Sequence, residues 1–377
     1  GDSKLNILIL TYQGDIAGST NSISYLAKGL SEKGHNVYVG CRRESLLYSL
    51  LENTNVNLVE MTFKSKLDFQ NIRHINEVVK KYNIDIINAQ SSKDRYTAIF
   101  SKMFYKFKSK IVHTRRQTPK SSGFFIQNWL YNTFTDMFVA VSDEVKEELI
   151  KGGLAKDKVK VIYNGTPNYK YQNVDKNQRE ILKEKYNIKE NEFVIGSISR
   201  KKEQDQIIEA LALLPSNCRI IFIGLNADEF ESYRPIIEKH KLQDRVLSIG
   251  MINGKETLNH YQILDVDVLA STMEGLSQSL LEAMYLGIPV IATRAAGNIS
   301  LIKDKENGLF FENKDPEGLA RAIRSIMESD ELRTRLILEG EKTAKVDFSI
   351  EKVIENYEKK FSELLIKNWN NNWEQKG

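Results

Sequence analysis

A chain of 377 residues with 41% hydrophobic and 28% charged side chains can build two or three full cores and is too apolar to stay disordered. Fifty-four Lys and Arg against 50 Asp and Glu leave a net charge of +4, which excludes a strongly basic nucleic-acid binder. Two cysteines, Cys41 and Cys218, exclude a disulfide scaffold and read as the reduced thiols of a cytoplasmic protein. No run of about 18 apolar residues is present to span a bilayer, and the opening GDSKLNILIL reads as a strand rather than a signal-peptide core.

In chain order, apolar β-type runs predict strands at Asn6–Leu10, Asn36–Gly40, Val56–Glu60, Asp85–Ala89, Lys110–His113, Met137–Val141 and Val159–Tyr163. Helical spacing falls between them at Ser19–Lys33, Asn71–Tyr82 and Asp143–Lys151. The polar stretch Thr166–Lys176 interrupts this rhythm. It resumes with strands at Phe193–Ser197, Arg219–Gly224, Val246–Gly250, Asp267–Ser271, Pro289–Thr293 and Gly308–Phe311. Helices are predicted at Gln206–Leu214, Glu229–His240, Glu256–Ile263 and Ser277–Leu286, and Ser349–Asn368 reads as one long helix. Continuous apolar strands alternating with helices mean parallel sheets covered on both faces. The fold class is therefore α/β, with two doubly wound Rossmann-like domains joined near 165–175. Such sheets bind ligands at the carboxyl ends of their strands, so facing domains would line a cleft with strand-end loops.

The segment from Asp265 to Thr293 carries the most specific signal. A strand ends at Ser271, a short loop holds Glu274, Gly275 and Leu276, Ser277 caps a helix, and Gly287 and Pro289 stop it. A helix N-terminus at a strand's carboxyl end suits a diphosphate. Gly275 lets the backbone approach the ligand, Glu282 can accept from two ribose hydroxyls, and Glu274 can hold sugar hydroxyls. Asp265 and Asp267 alternate at the start of a buried strand with no helping His, so a metal site is not expected. The five histidines are scattered, and His35, beside Gly34, reads as a turn residue.

The pair Glu274 and Glu282, with seven residues between them, resembles the Glu-x7-Glu motif of retaining glycosyltransferase family 4, whose members have the two-domain GT-B fold. Val141–Leu149, Val159–Pro167, Ile195–Lys202 and Asn307–Phe311 resemble that family in the same order. The resemblance implies domains at 1–166 and 167–351, with a C-terminal helix at 352–372 crossing back onto the first. It implies that Arg200 and a lysine, Lys202 in preference to Lys201, stabilise the departing nucleoside diphosphate, with Glu274 as the third catalytic residue. Gly275, Leu276, Ser277 and Glu282 would bind the donor. Met251 and Ile252 would line the base pocket, and the loop bearing Gly14 and Gly18 would approach the donor phosphates. Gln90 and Ser91, with Arg115 and Arg116, would face the acceptor; Gln90 stands where relatives often carry a His, and cannot titrate.

The implied activity is transfer of a sugar, with retention, from a UDP-, GDP- or ADP-linked nucleotide-sugar to a hydroxyl of a glycan or lipid-linked acceptor, in cell-surface polysaccharide or lipopolysaccharide assembly. No metal or other cofactor is expected, and the domains are expected to close by a hinge near the linker. From Arg95 to Thr135 there are eight Lys and Arg, no Asp or Glu, and ten interleaved aromatics. This pattern predicts a face that rests on an anionic membrane, peripheral at its inner side, and no nucleic-acid partner. A sugar-nucleotide epimerase or phosphorylase of the same shape, and a non-enzymatic glycan-binding relative, are the alternatives.

Overall fold

The computed structural model describes residues 4–15, 18–116, 125–273 and 275–374, with residues 18 and 367–374 by backbone alone. The chain divides into two compact units, 1–165 with 350–377, and 166–349.

The first unit is a seven-stranded parallel sheet. Its strands are β1 (Asn6–Leu10), β2 (Asn36–Cys41), β3 (Asn57–Glu60), β4 (Ile86–Ala89), β5 (Lys110–Arg115), β6 (Met137–Ala140) and β7 (Val159–Val161), in the order β3-β2-β1-β4-β5-β6-β7. The helices between them are α1 (Gly18–Glu32), α2 (Leu46–Leu51), α3 (Phe69–Tyr82), α4 (Ser92–Tyr105), α5 (Phe125–Phe134) and α6 (Asp143–Lys151). Ile7, Leu8, Ile9 and Leu10 are all fully buried, because helices cover both faces of the central strand. Each such side chain contributes roughly 1.5–3 kcal/mol.

The second unit holds α7 (Gln178–Lys185), β8 (Phe193–Ile198), α8 (Asp205–Leu211), β9 (Cys218–Ile223), α9 (Ala227–Glu231), α10 (Arg234–Lys239), β10 (Val246–Gly250), α11 (Gly254–His260), β11 (Val266–Leu269), α12 (Gln278–Tyr285), β12 (Val290–Thr293), α13 (Asn298–Leu301), β13 (Leu309–Phe311), α14 (Pro316–Glu328) and α15 (Asp330–Lys342). Its six parallel strands run β10-β9-β8-β11-β12-β13. Its main core gathers α8, α10, α14 and α15 onto one face of that sheet.

The last helix, α16 (Ile350–Glu374), belongs to the first unit. Val353, Ile354, Tyr357 and Phe361 enter the core beside α1, and a Cβ at Gly29 would collide with Ile354 Cδ1 at 1.9 Å. His35, read as a turn residue, directly follows the turn at Lys33 and Gly34, and its side chain has a further role. It is buried, its Nδ1 accepts the Leu5 amide at 3.0 Å, and its Nε2 meets Glu358 of α16 at 2.5 Å. The single helix expected at Glu229–His240 is two. Pro235 lacks the N–H that would bond back to residue 231, so it can only open a new helix. No helix among the described residues is long and apolar enough to cross a membrane.

Candidate functional site

In the second unit the strand order reverses between β8 and β11, which places a crevice at their carboxyl ends. The loop after β8 carries Arg200, Lys201 and Lys202. Gly224, at φ 107°, lets the end of β9 pass so close that a Cβ would stand 2.5 Å from the Ser199 carbonyl oxygen. Gln204 then fixes the loop: its Nε2 donates to the Arg200 carbonyl at 2.7 Å, and its Oε1 accepts the Lys202 amide at 2.6 Å. The Arg200 side chain is exposed, Lys202 is half-buried, and Lys201 lies over the Tyr233 ring at 5.5 Å. Glu203 joins this loop to the one after β11. Its amide donates to the Ala270 carbonyl at 3.1 Å and its Oε1 accepts from the Thr272 hydroxyl at 3.0 Å. The segment of Arg200–Lys202 and the segment leading to Ser277 thus meet at one strand end.

There α12 begins. Ser277 caps it, its hydroxyl accepting the Leu280 amide at 3.2 Å, while the N–H groups of Gln278 and Ser279 have no intrahelical acceptor. Leu276 is half-buried; Gly275 is exposed, with open space where a Cβ would be. Gly287, at φ 76°, ends the turn after α12. Glu274 lies outside the described residues. Glu282 faces a cluster that sequence reasoning missed: Lys170 Nζ meets its Oε1 at 2.5 Å, and the buried Tyr261 hydroxyl donates to its Oε2 at 3.1 Å. Tyr171 stacks on Tyr285 with ring centroids 3.6 Å apart, fastening the segment just past the junction to α12. Lys170 and Tyr171 sit in the stretch read as a polar linker, where the adjoining Tyr169-Lys-Tyr171 was the signal. Behind them Asp267 is buried with Oδ1 unpartnered, and burial together with the nearby Glu282 pushes it well above the usual carboxylate range. Asp265 instead accepts the Val194 amide at 2.8 Å. Among the described residues no three His, Cys, Asp or Glu side chains group to hold a metal. Met251, exposed, and Ile252, half-buried, follow β10 on the same sheet end, with β9 between them and β8.

In the first unit the order reverses between β1 and β4. Gly14 follows β1, and a Cβ there would lie 3.0 Å from that of Ser45, so the residue is pressed onto the start of α2. Gly18 begins α1. After β4, Asp94 is fully buried and gathers the amides of Gln90 at 2.7 Å, Ser91 at 2.9 Å and Tyr12 at 3.2 Å, together with the Ser91 hydroxyl. Burial raises it to about 6. The Gln90 side chain turns inward: its Nε2 donates to Asn88 Oδ1 at 2.6 Å, and its Oε1 accepts from Arg116 Nη1. Arg115, at the end of β5, is lowered to about 10 by burial and by the Arg95 guanidinium beside it. Of the basic, aromatic stretch 95–135, residues 117–124 lie outside the described residues. In the remainder Phe104, Phe125, Ile126 and Trp129 are exposed, while Lys102 and Lys110 lie near Asp136.

Two family models match the chain: "Glycosyltransferase Family 4" over residues 16–167 and "Glycosyl transferases group 1" over 178–343. The N-acetyl-alpha-D-glucosaminyl L-malate synthase of Bacillus anthracis is 25% identical, over 96% of this chain and 98% of its own. The capsular polysaccharide biosynthesis glycosyltransferase CapM of Staphylococcus aureus is 27% identical, over 60% of this chain and 61% of its own. Among solved structures, Anabaena Alr3699/HepE in complex with UDP superposes with a TM-score of 0.76 at 21% identity, over 95% of this chain and 100% of the other.

Proposed function

Since the chain belongs to glycosyltransferase family 4 and has the GT-B fold, we propose that it moves a sugar from a nucleotide-sugar to an acceptor hydroxyl with retention at the anomeric carbon and without a metal. The second domain takes the donor and the first takes the acceptor. The observation that carries this reading is the meeting of two loops between β8 and β11, one bearing Arg200 and Lys202, the other leading to the free amides of α12. Phosphate oxygens need such cations and N–H groups, which do not reorganise as charge develops on the leaving group. Lys201 is drawn to Tyr233, which favours Lys202 for this role.

In the reaction, the bond from the anomeric carbon to the diphosphate oxygen breaks, a bond to the acceptor oxygen forms on the same face, and the acceptor proton passes to the departing phosphate. Glu282 binds the ribose, Glu274 positions the sugar, and the residues after β10, Met251 and Ile252, meet the base. HepE was crystallised with UDP, which makes a uridine nucleotide the first donor to test, ahead of GDP and ADP. The name of CapM supports an acceptor in cell-surface polysaccharide assembly.

A thermal-shift panel of UDP, GDP and ADP with their sugars tests the reading. One nucleotide should stabilise the wild type, and Arg200→Ala and Glu282→Ala should each lower kcat/KM with its sugar roughly 10²-fold. EDTA should leave the rate unchanged. Indifference to all three nucleotides would reject the donor site, and full loss of activity in EDTA would reject the metal-free mechanism.

A further inference from the structure

The carboxyl end of β5 holds cations that no carboxylate among the described residues neutralises. Side chains alternate across the sheet here. His113 packs against Tyr131 and Phe138 on one face, with Arg115 next on that side, whereas Thr114 and Arg116 turn to the face covered by α16. On that second face runs a chain of hydrogen bonds. The Asn88 Nδ2 donates to the Val112 carbonyl and to Thr114 Oγ1, both at 3.1 Å, and Thr114 Oγ1 meets the Tyr357 hydroxyl at 3.1 Å. Gln90 Nε2 donates to Asn88 Oδ1, and this fixes which end of the amide faces outward: Oε1 points to Arg116 and accepts from Nη1.

Every member of this chain has a partner except at its end. Arg116 Nε is closed to solvent and bonds to nothing among the described residues. Tyr357 is the group that bears on the Arg116 charge, while Arg115 is influenced by Arg95, Tyr131 and Tyr96; no carboxylate faces either arginine among the described residues. Asp94, a buried acid in the first turn of α4 after β4, already accepts from three backbone amides and the Ser91 hydroxyl. Enclosing a guanidinium without a counter-charge is costly, and the cost is recovered when an anion arrives. The neutral Gln90 orients the guanidinium and leaves its charge unspent, which a Glu at the same place would not do. A planar fork held in this way matches the two oxygens of a phosphate or carboxylate.

We propose that Arg116, held by Gln90, is an oxyanion subsite that receives a phosphate or carboxylate group of the acceptor. The role of the bound group rests on the reading that the first domain takes the acceptor; the binding itself does not depend on the donor site.

The test uses the full chain carrying Arg200→Ala and Lys202→Ala, which removes the cations of the donor site. Inorganic phosphate, pyrophosphate and succinate are titrated separately by calorimetry at constant ionic strength. At least one should bind at a single site, and adding Arg116→Met or Gln90→Glu should weaken it about tenfold or more, as expected for losing a charge-assisted bond. Preference for the phosphates over succinate assigns a phosphorylated acceptor group, and the reverse a carboxylate. Gln90→Glu supplies its own counter-ion and keeps the question answerable if Arg116→Met does not fold. Binding of none of the three, or undiminished binding in both variants, overturns the subsite. Nucleotide binding to the wild type is read in parallel: its presence with no anion binding removes this subsite alone, and its absence with anion binding removes the donor reading alone.

Discussion

Glu282 meets Lys170 at 2.5 Å in this structure, so the ribose binding proposed for this carboxylate requires a diol to displace an ammonium. The pair is partly exposed, with side chains 33% and 15% accessible, which places its strength near 1 kcal/mol. Lys170→Met should therefore tighten nucleotide binding about fivefold while Glu282→Ala weakens it, and calorimetry on the two variants reads both signs. Weaker binding in Lys170→Met would instead mean that the lysine holds Glu282 in its binding rotamer. A second residue-scale effect concerns Asp94, whose folded form is raised from 3.8 to about 6 by burial. The fold then holds the proton more tightly than the unfolded chain does. Stability from this group is complete below about pH 4 and is lost as pH rises through about 6. Urea unfolding of wild type and Asp94→Asn should show the wild type gaining on the variant as pH falls from 6.5 to 4. A difference independent of pH would show that Asp94 stays ionised across this range.

At the scale of elements, α16 packs Val353, Ile354, Tyr357 and Phe361 into the first unit and is also tied to it by a histidine. His35 accepts from Leu5 and joins Glu358, so His35→Ala leaves the Leu5 amide without its acceptor and the helix's carboxylate with Lys33 alone, 3.7 Å away. A loss of about 1–3 kcal/mol is expected, and hydrogen exchange should quicken over 350–361 more than over β6. Unchanged exchange there would show that the other contacts of α16 hold it without this tie. This tie was invisible in the sequence because its partners are 323 residues apart, and Gly34-His35 looks locally like a turn. The central strands were legible because both faces are covered: β4, β6, β11 and β12 are buried at every residue, so apolar residues run on with little alternation. The α12 start was legible because Ser277 caps it and Gly287 stops it. Pro235, which divides α9 from α10, was a local signal not used. Lys170 and Tyr171 were passed over because they lie in a polar stretch whose meaning comes from α12, more than a hundred residues later. Gln90 was read as facing ligand, and only the surrounding Asn88, Thr114 and Arg116 reveal which way its amide is turned.

For the whole molecule, a net charge of +4 conceals an uneven distribution, since the stretch 95–135 has eight basic residues and no acid. The structure changes what that stretch can do at a membrane. Lys102 and Lys110 lie within 4 Å of Asp136, and Arg115 and Arg116 are drawn inward, which leaves Lys106 and Lys108 as its exposed cations among the described residues. At about 1 kcal/mol per basic residue near an anionic surface, two charges hold a protein only weakly. Apolar insertion must supply the rest, and α5 offers it: Phe125, Ile126 and Trp129 are 86%, 70% and 52% exposed at spacing that puts them on one side of the helix. Binding should therefore need both anionic lipid and these side chains. In sedimentation with vesicles of neutral or mixed neutral and anionic lipid, the wild type should pellet with the anionic ones and be released as salt shortens the screening length. Phe125→Ser with Trp129→Ser should abolish pelleting while nucleotide binding in the other unit continues. Equal pelleting with both vesicle types, or pelleting that survives the double substitution, would remove the membrane from this protein's function and leave α5 as a surface for something else.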